Sequence, residues 1–253
     1  RGASDATPLL DGWALALSGS PAWSMLGGTG EVPAFFHGFT WAVYDGHRDR
    51  LLVGTFDGAR LHALDLATSV WTARSTASPP HPEHPIAGGG SVVLDPAGDR
   101  LFCFGGLWED GQTRAFRNAV SELRLNAPVP DWTELHPAGP LPDPRAHQAV
   151  LYDPAGPRLI VYGGWWGNAY GDAFQGDDAW QLLLPAGGAP RWSELPSAGP
   201  GGARMGHGAV AAAGEMLVFG GAGRASSLAL SYGTGRARWR PCAARAERPG
   251  RGR

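Results

Sequence analysis

A tryptophan returns near the end of five similar segments of this 253-residue chain: Ala22-Trp23-Ser24, Val70-Trp71-Thr72, Asp131-Trp132-Thr133, Arg191-Trp192-Ser193 and Arg238-Trp239-Arg240. Successive copies stand 48, 61, 60 and 47 residues apart. A self-similar period of roughly 40–50 residues marks a unit too small to bury its own apolar face, so the copies must stack on one another. The period therefore constrains the fold far more tightly than it constrains function.

Three copies align closely, the third with a shortened hairpin. Ser91–Gly106, Ala149–Gly164 and Ala209–Gly221 each read as two apolar runs that end in Gly-Gly, and an Asp-Pro-Ala-Gly turn joins the runs in the first two. Pro and Gly pre-set the turn dihedrals. Apolar runs without alternation predict strands covered on both faces. A variable stretch follows, then a third strand over Leu61–Leu66, Ala119–Leu125, Ala179–Leu184 and Ser227–Ser231, then the strand carrying the tryptophan. An outer-strand tryptophan can cover the seam between neighbouring sheets.

On these motifs the chain resembles the kelch-repeat β-propellers. The carrying residues are Arg145-Ala146-His147-Gln148-Ala149-Val150 before Gly163-Gly164 and Trp192, and Arg204-Met205-Gly206-His207-Gly208-Ala209-Val210 before Gly220-Gly221 and Trp239. Gly105-Gly106 with Trp132 carries a further copy, whereas Gly54-Thr55-Phe56 replaces the double glycine in the second. The resemblance implies an all-β, kelch-type propeller of four complete four-stranded blades plus an outer half-blade. The repeats fall at 1–26 (partial), 38–74, 90–136, 147–195 and 207–242 of a single domain, with 243–253 expected to be a disordered tail. Family propellers usually have about six blades, so a fragment of a larger ring is expected, with an N-terminus that looks truncated at Arg1.

Composition removes several function classes. The net charge is −2 and gives no reason to expect nucleic acid, and no apolar run approaches the ~20 residues of a membrane span. All 21 basic residues are Arg, which excludes lysine Schiff-base chemistry. Cys103 stands in the apolar run Leu101–Phe104 and reads as a buried, inert thiol; Cys242 is far away, and neither belongs to a Cys-x-x-Cys pair. No nucleophile elbow, Walker loop or dinucleotide fingerprint is present. The copper-radical oxidases that share this fold need a Cys–Tyr–His set that is not evident here. No cofactor and no metal are expected. His81, Glu83 and His84 lie between prolines, and Asp172, Asp177 and Asp178 offer a weak calcium reading.

Recognition residues are expected on the face that gathers the loops between blades and those between second and third strands. Two long loops there carry aromatics and arginines, the usual composition of contact hot spots: Trp108, Arg114 and Arg117 in one, and Trp165, Trp166 and Tyr170 in the other. Arg145, His147, Arg204 and His207 lie at the starts of innermost strands, with the two histidines read as occupying matching positions. The expected activity is non-enzymatic binding of a protein or peptide. The alternative is a carbohydrate-binding or carbohydrate-active propeller, of lyase, epimerase or oxidase type, with its site at the channel mouth.

Overall fold

The computed structural model describes residues 12–33, 40–55, 60–78, 88–109, 114–167, 173–198, 201–212, 214–222, 226–232 and 237–242. These residues form an all-β, propeller-like arrangement of sheets in chain order. The first sheet is the hairpin β1 (Gly12–Ala16) and β2 (Ala22–Leu26). The second holds β3 (Thr29–Gly30), β4 (Thr40–Asp45), β5 (Arg50–Thr55), β6 (Arg60–Asp65) and β7 (Val70–Ser75). The third holds β8 (Ser91–Asp95), β9 (Arg100–Glu109), β10 (Arg114–Arg124) and β11 (Trp132–Leu135). In the fourth, β12 (Ala149–Asp153) and β13 (Arg158–Tyr162) are followed by a small hairpin, β14 (Trp165–Gly167) and β15 (Ala173–Gln175), and then by β16 (Ala179–Leu183) and β17 (Arg191–Glu194). The fifth holds β18 (Ser197–Ala198), β19 (Gly208–Ala212), β20 (Glu215–Phe219), β21 (Ser227–Ser231) and β22 (Ala237–Pro241). The innermost strands β4, β8, β12 and β19 neighbour one another in that order.

Side chains alternate along a strand, so one strand between two neighbours must be apolar on both faces. In β9, Leu101 and Cys103 join the core shared with the second sheet, while Phe102 and Phe104 join the core shared with the fourth. In β13, Leu159 and Val161 face the third sheet's core, and Ile160 and Tyr162 face the fifth's. Burial holds the Cys103 thiol far above its ordinary range, which leaves it an inert packing residue.

In three of the five segments the returning tryptophan has a fixed place in these cores. Trp132 meets Trp41 of the preceding sheet edge-on at 6.4 Å, Trp192 meets Phe104 at 5.2 Å, and Trp239 meets Tyr162 at 4.4 Å. The receiving aromatic always stands across the first strand pair from a small residue: Trp41 opposite Gly54, Phe104 opposite Ser91, Tyr162 opposite Ala149. In the second sheet the exchange is reversed: Gly54 stands at the register of Phe104 and makes room for Trp41. Three linkers also cross the outer edge of the following sheet. Thr29–Gly30 pairs in parallel with Val70–Trp71, Ala138 bridges Arg191, and Ser197–Ala198 pairs with Ala237–Arg238.

The double glycines form the joints on the opposite edge. Gly105 and Gly106 take φ of 67° and 114°, Gly163 and Gly164 63° and 106°, Gly220 and Gly221 66° and 101°. Gly106 donates its N–H to the Arg145 carbonyl at 2.7 Å, and Gly164 to that of Arg204 at 3.0 Å. A Cβ on Gly163 would lie 2.7 Å from the Arg204 carbonyl oxygen, whereas one on Gly220 would meet nothing within 4 Å. The two positions separate backbone strain from crowding. Gly220→Ala is expected to cost about 1 kcal/mol through φ alone, and Gly163→Ala roughly 2–4 kcal/mol, measured by denaturant unfolding. Equal costs would mean that the carbonyl contact contributes nothing.

Candidate functional site

One end of the sheet array carries the turns between first and second strands, and there a buried aspartate recurs. Asp45, Asp95 and Asp153 each accept a bond from the arginine five residues on, Arg50 at 2.9 Å, Arg100 at 2.8 Å and Arg158 at 2.9 Å. Burial would raise the Asp95 carboxyl, but bonds from Gly98, Arg100 and Tyr152 outweigh it and hold it low. These groups lock turns and join sheets, as does the paired contact of Arg48 with Asp99 at 2.8 Å. A cavity of about 470 Å³ at this end is lined by Val43, Tyr44, His47, Val92, Leu94 and Tyr152, among others.

The opposite end carries the sequence-predicted residues, and the two long connections are not plain loops there. β9 and β10 run on beyond the double glycine as a paired arm, with Trp108 opposite Ala115 and Arg117 opposite Gly106. A bulge then sets Asn118 and Ala119 against the single Gly105 before Val120 pairs Phe104. β14–β15 forms a second, shorter arm, with Trp166 opposite Phe174. The arms touch: Phe116 meets Trp165 edge-on at 4.8 Å. Arg117 lies over the Trp108 ring at 5.6 Å. Tyr170, Asp172, His81 and His84 fall outside the described residues, as does the Arg114 side chain.

Arg145 and Arg204 are buried, at 0% and 1% exposure, and both tie backbone segments together. Arg145 grips both oxygens of Asp178 at 2.7 Å, donates to the Gly163 and Asp143 carbonyls, and lies over Trp166 at 5.1 Å. Asp178 thus serves as a counter-ion: burial would raise its pKa, but Arg145 and Trp180 hold it below the usual carboxylate range. Arg204 donates to the carbonyls of Gly201, Gly220 and Ser226.

The register separates the two histidines. Ala149 pairs Tyr162 and Gly208 pairs Phe219, so His207 matches Gln148, and His147 matches Gly206. Both His147 (φ 56°) and Gly206 (φ 61°) are left-handed, as is Gly89 (φ 71°). Their backbones form a relay from sheet to sheet: His147 N–H to Gly89 carbonyl at 2.7 Å, and Gly206 N–H to His147 carbonyl at 2.9 Å. The offset from the preceding arginine, two residues against three, was the signal that separates them. The His147 ring lies 6.2 Å from Trp165. His207 is buried edge-on to Tyr162 at 5.4 Å, and neither ring nitrogen has a hydrogen-bond partner among the described residues.

Between the third and fourth sheets on this end lies a cavity of about 460 Å³. Its walls are Phe116–Val120 of β10, Glu134 and Leu135 of β11, His136, Pro137, Leu141 and Pro144 of the linker, and Trp192 of β17. Asn118 fixes the linker by donating to the Pro142 carbonyl at 2.9 Å. Four prolines, at 137, 140, 142 and 144, restrict the linker's shape further. Leu141 is half exposed at the rim. Arg117 makes no ion pair with a described residue; burial lowers its pKa, against the attraction of Glu134, and its Nε is buried with no partner among the described residues. Sequence reasoning named Arg117 but not Asn118, Glu134, His136 or Leu141. The proline density of the linker was the available signal.

No family model matches the chain. Among solved structures it is similar to that of YjhT, with a TM-score of 0.59 and 16% sequence identity over 91% of this chain and 79% of that one. At that identity the likeness carries the all-β, propeller-like fold and nothing finer. Among the described residues no group of three or more His, Cys, Asp or Glu could hold a metal, and no helix is long and apolar enough to cross a membrane.

The buried His207 generates a pH dependence. Burial, with the nearby Arg204 charge, lowers its pKa to about 4, against about 6.5 for a free imidazole. The unfolded chain therefore binds a proton in that window that the folded chain does not. Folding stability should fall as pH drops from about 6.5 towards 4. His207→Gln, which installs the residue found at the same register in the fourth sheet, should flatten that slope in denaturant titrations. An unchanged slope would place the titrating group elsewhere.

Proposed function

We propose that this chain is a kelch-type propeller module that binds a protein or peptide, without catalysis of its own, through the cavity beneath the 134–144 segment. The observation that carries this reading is the cavity's mixed wall. Phe116, Leu135, Leu141, Pro137, Pro144 and Trp192 offer an apolar seat, while Arg117 and Glu134 offer charge and His136 a polar ring. Its volume of about 460 Å³ lies within the range of ligand sites and takes one or two peptide side chains. The proline-rich linker and the Asn118 bond make the seat largely preformed, which lowers the ordering cost of binding. Arg117, positioned over Trp108, adds a cation that can meet a carboxylate of the partner.

Selection of peptides from a random library against the purified chain tests the reading. Leu141→Asp and Arg117→Ala should each weaken a selected peptide at least about tenfold, the scale of one hot-spot contact. Tyr44→Ala, at the other end of the sheets, should leave affinity unchanged. A glycan array that gives ligands sensitive to the same two replacements, where no peptide binds, would overturn the peptide reading in favour of a carbohydrate.

A further inference from the structure

The three tryptophan joints inside the chain use neither Trp23 nor the partly buried Trp71, and among the described residues they leave the last sheet without a tryptophan on its far face. Trp132, Trp192 and Trp239 are each buried against an aromatic of the preceding sheet, with exposures of 4%, 0% and 6%. Trp23 holds the corresponding place on β2 and is 66% exposed. Phe219 pairs with Gly208 as Phe104 pairs with Ser91 and Tyr162 with Ala149, so it is the receiving aromatic of the fifth sheet. It is 53% exposed, and Val210 beside it on β19 is 49% exposed. The hairpin that carries Trp23 is uncharged from Gly12 to Leu26 and also exposes Trp13, Leu15, Leu17 and Met25. An apolar patch of this kind marks an association surface on a folded chain.

We infer that the β1–β2 hairpin of one copy of this chain docks on the β19–β22 sheet of a second copy, seating Trp23 against Phe219 and Val210. The contact continues between molecules the interface that the chain already makes three times within itself. Because the two surfaces differ, the association is head-to-tail, and every copy keeps one free surface of each kind until the assembly closes. The hydrophobic match supplies the attraction, and no charge on the hairpin has to be desolvated.

Sedimentation velocity on the purified chain across a hundredfold concentration range reads this directly. The wild type should give dimers and larger species that grow with concentration. Trp23→Glu and Phe219→Glu should each be monomeric, and both side chains are exposed, so unchanged near-ultraviolet circular dichroism should show that the fold is retained. Mixed in equal amounts, the two variants should form a one-to-one dimer that grows no further, because the first supplies an intact Phe219 surface and the second an intact hairpin. A wild type that stays monomeric throughout overturns the inference. So does a dimer that survives both replacements, or a mixture of the variants that stays monomeric.

Discussion

The structure depends on a joint made by a tryptophan from one sheet and an aromatic ring from the sheet before it. A single four-stranded sheet has two apolar faces and cannot cover either, so its stability comes from its neighbours. Trp192 against Phe104 and Trp239 against Tyr162 fill the outer part of each seam, while Leu, Val and Ile from first and second strands fill the rest. Glycine joints complete the seam at the loop end, where Arg145 and Arg204 present their carbonyls to Gly106 and Gly164. Both arginine side chains then anchor the segment that made the joint.

The candidate site is a by-product of one such joint. Trp192 belongs at once to the core between the third and fourth sheets and to the cavity wall beneath the proline-rich linker. The bulge at Asn118 and Ala119 opens β10 away from its partner just where the linker passes, and the Asn118 amide ties the two together. A rigid floor supplied by the fold and a rim supplied by variable connections is the usual division of labour in binding scaffolds.

Much of the fold was legible because its determinants are local. Tryptophan, double glycine and continuous apolar strands each answer to one position in the repeat, and the strand limits Leu61–Leu66 and Ala179–Leu184 differ by one residue from Arg60–Asp65 and Ala179–Leu183. The arms beyond the double glycine were read as loops, since their polar and glycine content hides the pairing that extends β9 and β10 to Glu109 and Arg114. The site was less legible. Arg145, Arg204 and His207 stood out by residue type, yet burial commits the two arginines to backbone carbonyls and packs His207 against Tyr162. Nothing in a single segment announces a cavity whose walls come from β10, a linker and the next sheet's outer strand.

A double-mutant cycle on Phe104→Leu and Trp192→Phe, read by denaturant unfolding, tests the joint most directly. The account predicts that the two losses fail to add by about 1 kcal/mol, the coupling of a buried aromatic pair. Additivity within about 0.3 kcal/mol would mean that the two rings stabilise their own sheets independently, and that the tryptophan is not what binds one sheet to the next.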